Sequence, residues 1–138
     1  MNDKGYTLIE FIVVVSIITI MSSIAFIGIQ KGFKLDGATR MIFSDLHNTR
    51  IKAIRYKHDF RVVFDSNGHT YNINNIDTGQ TLLTRDIHEN YQGVFFETAI
   101  NPTFDPFGII TDAGNIKIKK GSNVKYVKIF WTGRIRIL

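Results

Sequence analysis

From Leu8 to Ile29 the chain is an almost unbroken apolar run, and its only ionisable residue is Glu10. About 20 apolar residues suffice for a helix to cross a bilayer, so the run predicts a membrane-inserted helix. Helical periodicity continues beyond it. Leu35, Ala38, Ile42, Leu46, Thr49 and Ala53 recur at spacings of three and four, which makes one apolar or small stripe. Phe43 and Ile54 broaden that stripe, while Asp36, Arg40, His47, Arg50 and Lys57 fall mostly elsewhere. The spacing predicts one helix from Thr7 to Tyr56, with its second half packed on a domain. Ser16, Thr19 and Ser23 share a helix face, which suits a protein-facing rather than a lipid-facing side.

After His58 the period falls to two. Phe60–Phe64 and Thr70–Ile73, with Ser66-Asn67-Gly68 between them, read as a hairpin. Asp77-Thr78-Gly79 turns the chain, Gly93–Glu97 reads as a strand, and Asn101-Pro102 to Asp105-Pro106 reads as a loop. Gly108–Ile110 and Ile116–Lys119, around Asp112-Ala113-Gly114, suggest a second hairpin. Val124–Trp131, a turn at Thr132-Gly133, and Arg134–Leu138 follow. One helix and then six or seven short antiparallel strands make an α+β chain, a long N-terminal helix packed on an antiparallel sheet domain. Its expected segments are 6–30 for the membrane helix, 31–57 for its amphipathic half and 58–138 for a β-rich globular domain.

Charge sharpens this picture. The net charge of +5 is unevenly placed. From Lys31 to Asp112 nine Lys/Arg face ten Asp/Glu, a balance of −1. From Ala113 onward there are seven basic residues and no acidic one: Lys117, Lys119, Lys120, Lys125, Lys128, Arg134 and Arg136. Such a localised field suits nucleic acid or another polyanion, or else a solvated strand face that guards a sheet edge. With no cysteine, disulfides and thiolate metal sites are excluded. His47, His58, His69 and His88 have no metal-ligand spacing, and Asp45 and Asp59 are expected to be isolated. No nucleophile elbow or phosphate loop occurs. No enzyme activity, metal or cofactor is expected.

Glu10 is the anomaly of the apolar run. A carboxylate at the centre of a membrane helix costs roughly 2.5–3.5 kcal/mol, and less near an interface. The run is too long for a secretory signal peptide, although Ser23-Ile24-Ala25 is a weak cleavage-like triplet. A plain signal anchor fits the length but leaves Glu10 unexplained. Thr7-Leu8-Ile9-Glu10 matches a capping box, in which the glutamate satisfies a free N–H at the helix start; that role is compatible with any other. Gly28 and Gly32 interrupt the helix near its exit from the membrane, each at up to about 1 kcal/mol relative to alanine. They suit a bend, a close helix contact or a tolerated helix end.

Lys4-Gly5-Tyr6-Thr7-Leu8-Ile9-Glu10, followed directly by an apolar helix, resembles the class III signal of type IV pilins and type II secretion pseudopilins. The resemblance implies a leader of residues 1–5, cut after Gly5 by a prepilin peptidase, and N-methylation of the new terminus, Tyr6. It implies that Glu10 meets the α-amine of a neighbouring subunit, so that each offsets the other's desolvation. The partners implied are other pilins or pseudopilins through the N-terminal helix, the peptidase and the membrane. The implied location is the bacterial inner membrane, single-pass, with a periplasmic globular domain, and the pilus or pseudopilus after assembly. Lys4 alone precedes the run, while Lys31, Lys34 and Arg40 follow it. Charge therefore does not set this orientation; only the resemblance does.

Asn48–Arg55, Phe104-Asp105-Pro106-Phe107-Gly108 and Trp131-Thr132-Gly133-Arg134 resemble elements of the GspH/FimT branch of these families. Gly133-Arg134-Ile135-Arg136 resembles the element that FimT-like minor pilins use to grip DNA. Alternation puts Arg134 and Arg136 on one strand face, and Lys117 and Lys119 on one face of another candidate strand. Trp131 could stack on a base or pack on the sheet. The expected function is that of a minor pilin or pseudopilin of a type IV pilus or type II secretion system, with DNA as a further partner. The alternative is a signal-anchored periplasmic binding domain unrelated to pili.

Overall fold

The computed structural model describes residues 7–138, and the side chains of residues 7–23 and 33–138. The chain divides into two units, Met1–Gly32 and Phe33–Leu138. The expected cleavage and methylation positions, Gly5 and Tyr6, lie outside the described residues, as do the surroundings of Gly28 and Gly32. Helix α1 is assigned over Leu8–Tyr56.

In the first unit, the large apolar side chains from Leu8 to Met21 are all exposed. That is an apolar surface of the kind lipid or other helices cover. Ser16, Thr19, Ser22 and Ser23 each donate to the carbonyl four residues back, at 2.7–2.9 Å. Their hydroxyls are thus satisfied within the helix. Among the described residues no helix is long and apolar enough to cross a membrane; the apolar sequence continues past Ser23 to Ile29.

In the second unit, the predicted stripe is the buried one. Leu35, Ala38, Ile42, Leu46, Thr49 and Ala53 are each at most 3% exposed. Lys57 ends the helix in the left-handed region (φ 59°) and donates to the Ala53 carbonyl at 3.0 Å, an αL cap built on a lysine. Eight strands follow: β1 Phe60–Phe64, β2 Thr70–Asn75, β3 Thr81–Asp86, β4 Phe95–Thr98, β5 Thr103–Phe104, β6 Gly114–Lys120, β7 Asn123–Ile129 and β8 Ile135–Ile137. They form two four-stranded sheets, ordered β3-β2-β1-β5 and β4-β6-β7-β8, with every pairing antiparallel. Phe60, Val62, Tyr71, Ile73, Ile116, Ile118, Val127 and Ile129 alternate inward and join the helical stripe in one core. Phe96 closes the seam between the sheets: its ring meets Phe64 edge-on at 4.8 Å, and its N–H donates to Gly68 at 2.7 Å. The chain is α+β, a helix packed on antiparallel sheets.

Three local expectations are corrected. Gly108–Ile110 is not the first arm of a hairpin with Ile116–Lys119, because β6 pairs with β4 and β7, and Ile110 makes a lone bridge to Phe104. The Asn101–Pro106 loop contains β5, held by Val62 N–H on the Pro102 carbonyl at 3.0 Å and by Phe64 N–H on Asn101 Oδ1 at 2.9 Å. Nor is Asp45 isolated. Tyr71 donates to it at 2.5 Å and Arg85 at 3.2 Å, which ties α1 to β2 and β3. Burial first, and then the Asp45 hydrogen bond, push the Tyr71 phenol far above its ordinary range, so it stays a neutral donor.

Candidate functional site

Two regions carry the predicted site residues. At the start of α1, Glu10 N–H donates to Thr7 Oγ1 at 3.3 Å, and Thr7 N–H donates to Glu10 Oε2 at 3.2 Å. This reciprocal pair is the capping box, and it satisfies two of the donors that a helix start leaves orphaned. The carboxylate is thereby held at the helix terminus, turned back along the chain.

The second region is the outer face of the β4-β6-β7-β8 sheet. Inward Ile116, Ile118, Val127 and Ile129 leave Lys117, Lys119 and Lys128 facing outward. Lys117 and Lys119 meet Glu97 at 2.6 and 3.7 Å. That contact holds the Glu97 carboxyl below its ordinary range and raises the Lys117 ammonium. Lys117 and Lys119 are one strand removed from β8, since β7 lies between. Arg136 instead sits directly across from Lys128, and like charges so placed repel unless an anion joins them. Lys128 also lies over the Phe130 ring at 5.1 Å, within cation–π range.

Arg134 is presented by a tight turn. Phe130 N–H donates to the Arg134 carbonyl and Gly133 N–H to the Phe130 carbonyl, each at 2.9 Å. Gly133 has φ +81°, and a Cβ there would stand 2.1 Å from the Gly108 carbonyl oxygen and 2.5 Å from Arg50 Nε. Only glycine fits. Arg50 fastens the turn to the neighbouring loop, donating to Gly108 at 3.0 Å and to Thr132 at 3.5 Å. Arg134 and Arg136 are exposed, and Trp131 is 68% exposed. Trp131 therefore does not pack on the sheet.

Sequence reasoning singled out neither Lys128 nor Arg50 as site residues. Lys128 was within reach, because it alternates with buried Val127 and Ile129 and needed only the β7–β8 register. Arg50 had no local signal, since its partners lie 58 and 82 residues away. Among the described residues, no three His, Asp or Glu side chains converge on a point where a metal would sit.

Residues 1–26 match the prokaryotic N-terminal methylation motif. Two crystal forms of the Pseudomonas aeruginosa (strain PAO1) type IV minor pilin FimU share the fold. Their TM-scores are 0.62 and 0.60 at 16% identity, over 75% of this chain and 87% and 91% of theirs. The fold is type IV pilin-like. No curated protein matches the chain.

Proposed function

We propose that the chain is a minor pilin or pseudopilin. It is held in the inner membrane by α1, cut after Gly5, methylated on Tyr6, and assembled through Glu10 into a type IV pilus or a type II secretion pseudopilus. The observation that carries this reading is a methylation motif on residues 1–26 ahead of a globular unit with the fold of a minor pilin. Cleavage would place a new α-amine about one helical turn from Glu10. The Thr7–Glu10 box keeps the carboxylate at that end. A neighbour's amine then competes with a self-contact made through exposed groups, and surface contacts of that kind are weak.

We infer in addition that Arg134, Arg136 and Lys128 hold DNA, with Lys117 and Lys119 in a lesser role. Arginine forks suit phosphate oxygens, and the resulting affinity is salt-dependent and independent of sequence. Glu10→Leu is expected to be cleaved and methylated normally but to be lost from sheared filaments; assembly at the wild-type level refutes the docking role. Arg134→Gln/Arg136→Gln is expected to assemble normally and to lose DNA binding; unchanged affinity refutes the DNA reading alone.

A further inference from the structure

A half-open cavity of about 250 Å³ adjoins Arg134, between α1 and the turn, lined by Phe43, His47, Arg50, Thr132, Gly133 and Arg134. It is smaller than the roughly 300–1,000 Å³ pockets that take drug-sized ligands, so it has room for one ring system rather than a whole cofactor. One wall is aromatic: Phe43 and His47 meet edge-on, with ring centroids 6.3 Å apart. Guanidinium groups make another. Arg50 spends two donors on carbonyls and a guanidinium has five, so donors remain for a ligand. Two large exposed aromatics adjoin these residues in the chain: Trp131, 68% exposed, precedes Thr132, and Phe107, 81% exposed, precedes Gly108, whose carbonyl Arg50 holds. Their loops are joined by Ile110 N–H on the Trp131 carbonyl at 3.0 Å.

Cations interleaved with exposed aromatic faces form a surface on which unpaired bases stack while phosphates meet the charges. A duplex keeps its base faces stacked inside and offers such a surface only phosphates. We infer that this site, if it binds DNA as proposed above, prefers single strands. One base enters the Phe43–His47 cavity, and a neighbouring base stacks on Trp131. The backbone runs over Arg134, Arg136 and Lys128.

Trp131 is the sole tryptophan of the chain, so its emission reports stacking directly. The full chain in detergent is titrated with an oligothymidylate of about 16 nucleotides, the upper end of a single-strand site, and with a duplex of equal length at the same salt. Saturable quenching by the single strand, with affinity about tenfold above that for the duplex, is expected. By anisotropy of labelled probes, Trp131→Ala and His47→Ala should each weaken single-strand binding by about five- to tenfold and duplex binding by less than twofold. Equal affinity for both probes with unchanged emission overturns the single-strand preference and leaves DNA binding standing. Failure to bind either probe overturns both.

Discussion

Lys117 and Lys119 on β6 and the Arg134–Arg136 pair leading into β8 look alike in sequence: two cations at alternate positions, flanked by isoleucine, on one outer sheet face. Their surroundings differ. The lysines share Glu97. The arginines lie beside Lys128 and an exposed aromatic turn, and none of the last 26 residues is acidic. Alternation fixes which face a charge occupies. Whether that charge is free for a ligand depends on a partner brought in by a neighbouring strand.

The contrast can be broken most severely at Gly133. Gly133→Ala forces a Cβ against the Gly108 carbonyl and Arg50 at a left-handed position. Such strain and overlap together cost about 3 kcal/mol or more, so the thermal midpoint should fall by about 10 °C or more. Wild-type stability would mean that the turn is not built as described. Next in size, Arg134→Gln/Arg136→Gln should lower DNA affinity at least about tenfold. The salt slope should flatten by about 1.4 for a single strand, at about 0.7 per phosphate contact.

Glu97→Gln works in the opposite direction. It frees both lysines, so affinity should rise about two- to fivefold and the salt slope should steepen by up to about 1.4. Acid should mimic it. The Lys117 hydrogen bond depresses the folded-state pKa of Glu97. The pair's stabilisation is therefore present above the ordinary carboxylate range and lost as pH falls through the depressed value. Below that value DNA should bind more tightly to wild type, while Glu97→Gln shows no such rise. The smallest effect belongs to Lys117→Gln/Lys119→Gln, less than about twofold, because Glu97 already engages both ammonium groups and the carboxylate left behind is exposed and screened by salt. A loss equal to that of the arginine pair would erase the distinction.

The parts of the fold that were legible in sequence are those where burial imposes a period. The stripe from Leu35 to Ala53 reads at helical spacing because one face of α1 meets a core. The inward residues of β1, β2, β6 and β7 alternate for the same reason. β3 escaped notice because Thr81–Asp86 is an edge strand, exposed or half-buried throughout, so no face writes a pattern. Gly108–Ile110 was mistaken for a hairpin arm because turn residues on both sides suggest one. Its conformation comes instead from Asp105 Oδ1, which accepts from Phe107 and Ile109 N–H at 2.9 and 2.8 Å. At the site, Arg134 and Arg136 were readable as a short motif. Arg50, Glu97 and the Asp45–Tyr71–Arg85 group were not, because each acts through contacts far apart in the chain.

The N-terminal reading stands or falls on one covalent fact. Intact mass and N-terminal sequencing of the protein recovered from bacterial membranes decide it most directly. A processed pilin-like subunit should begin at Tyr6 and carry a single methyl group on its α-amine. A chain that keeps Met1–Gly5, or that begins after Ala25, would contradict processing at Gly5 and with it the assembly role of Glu10.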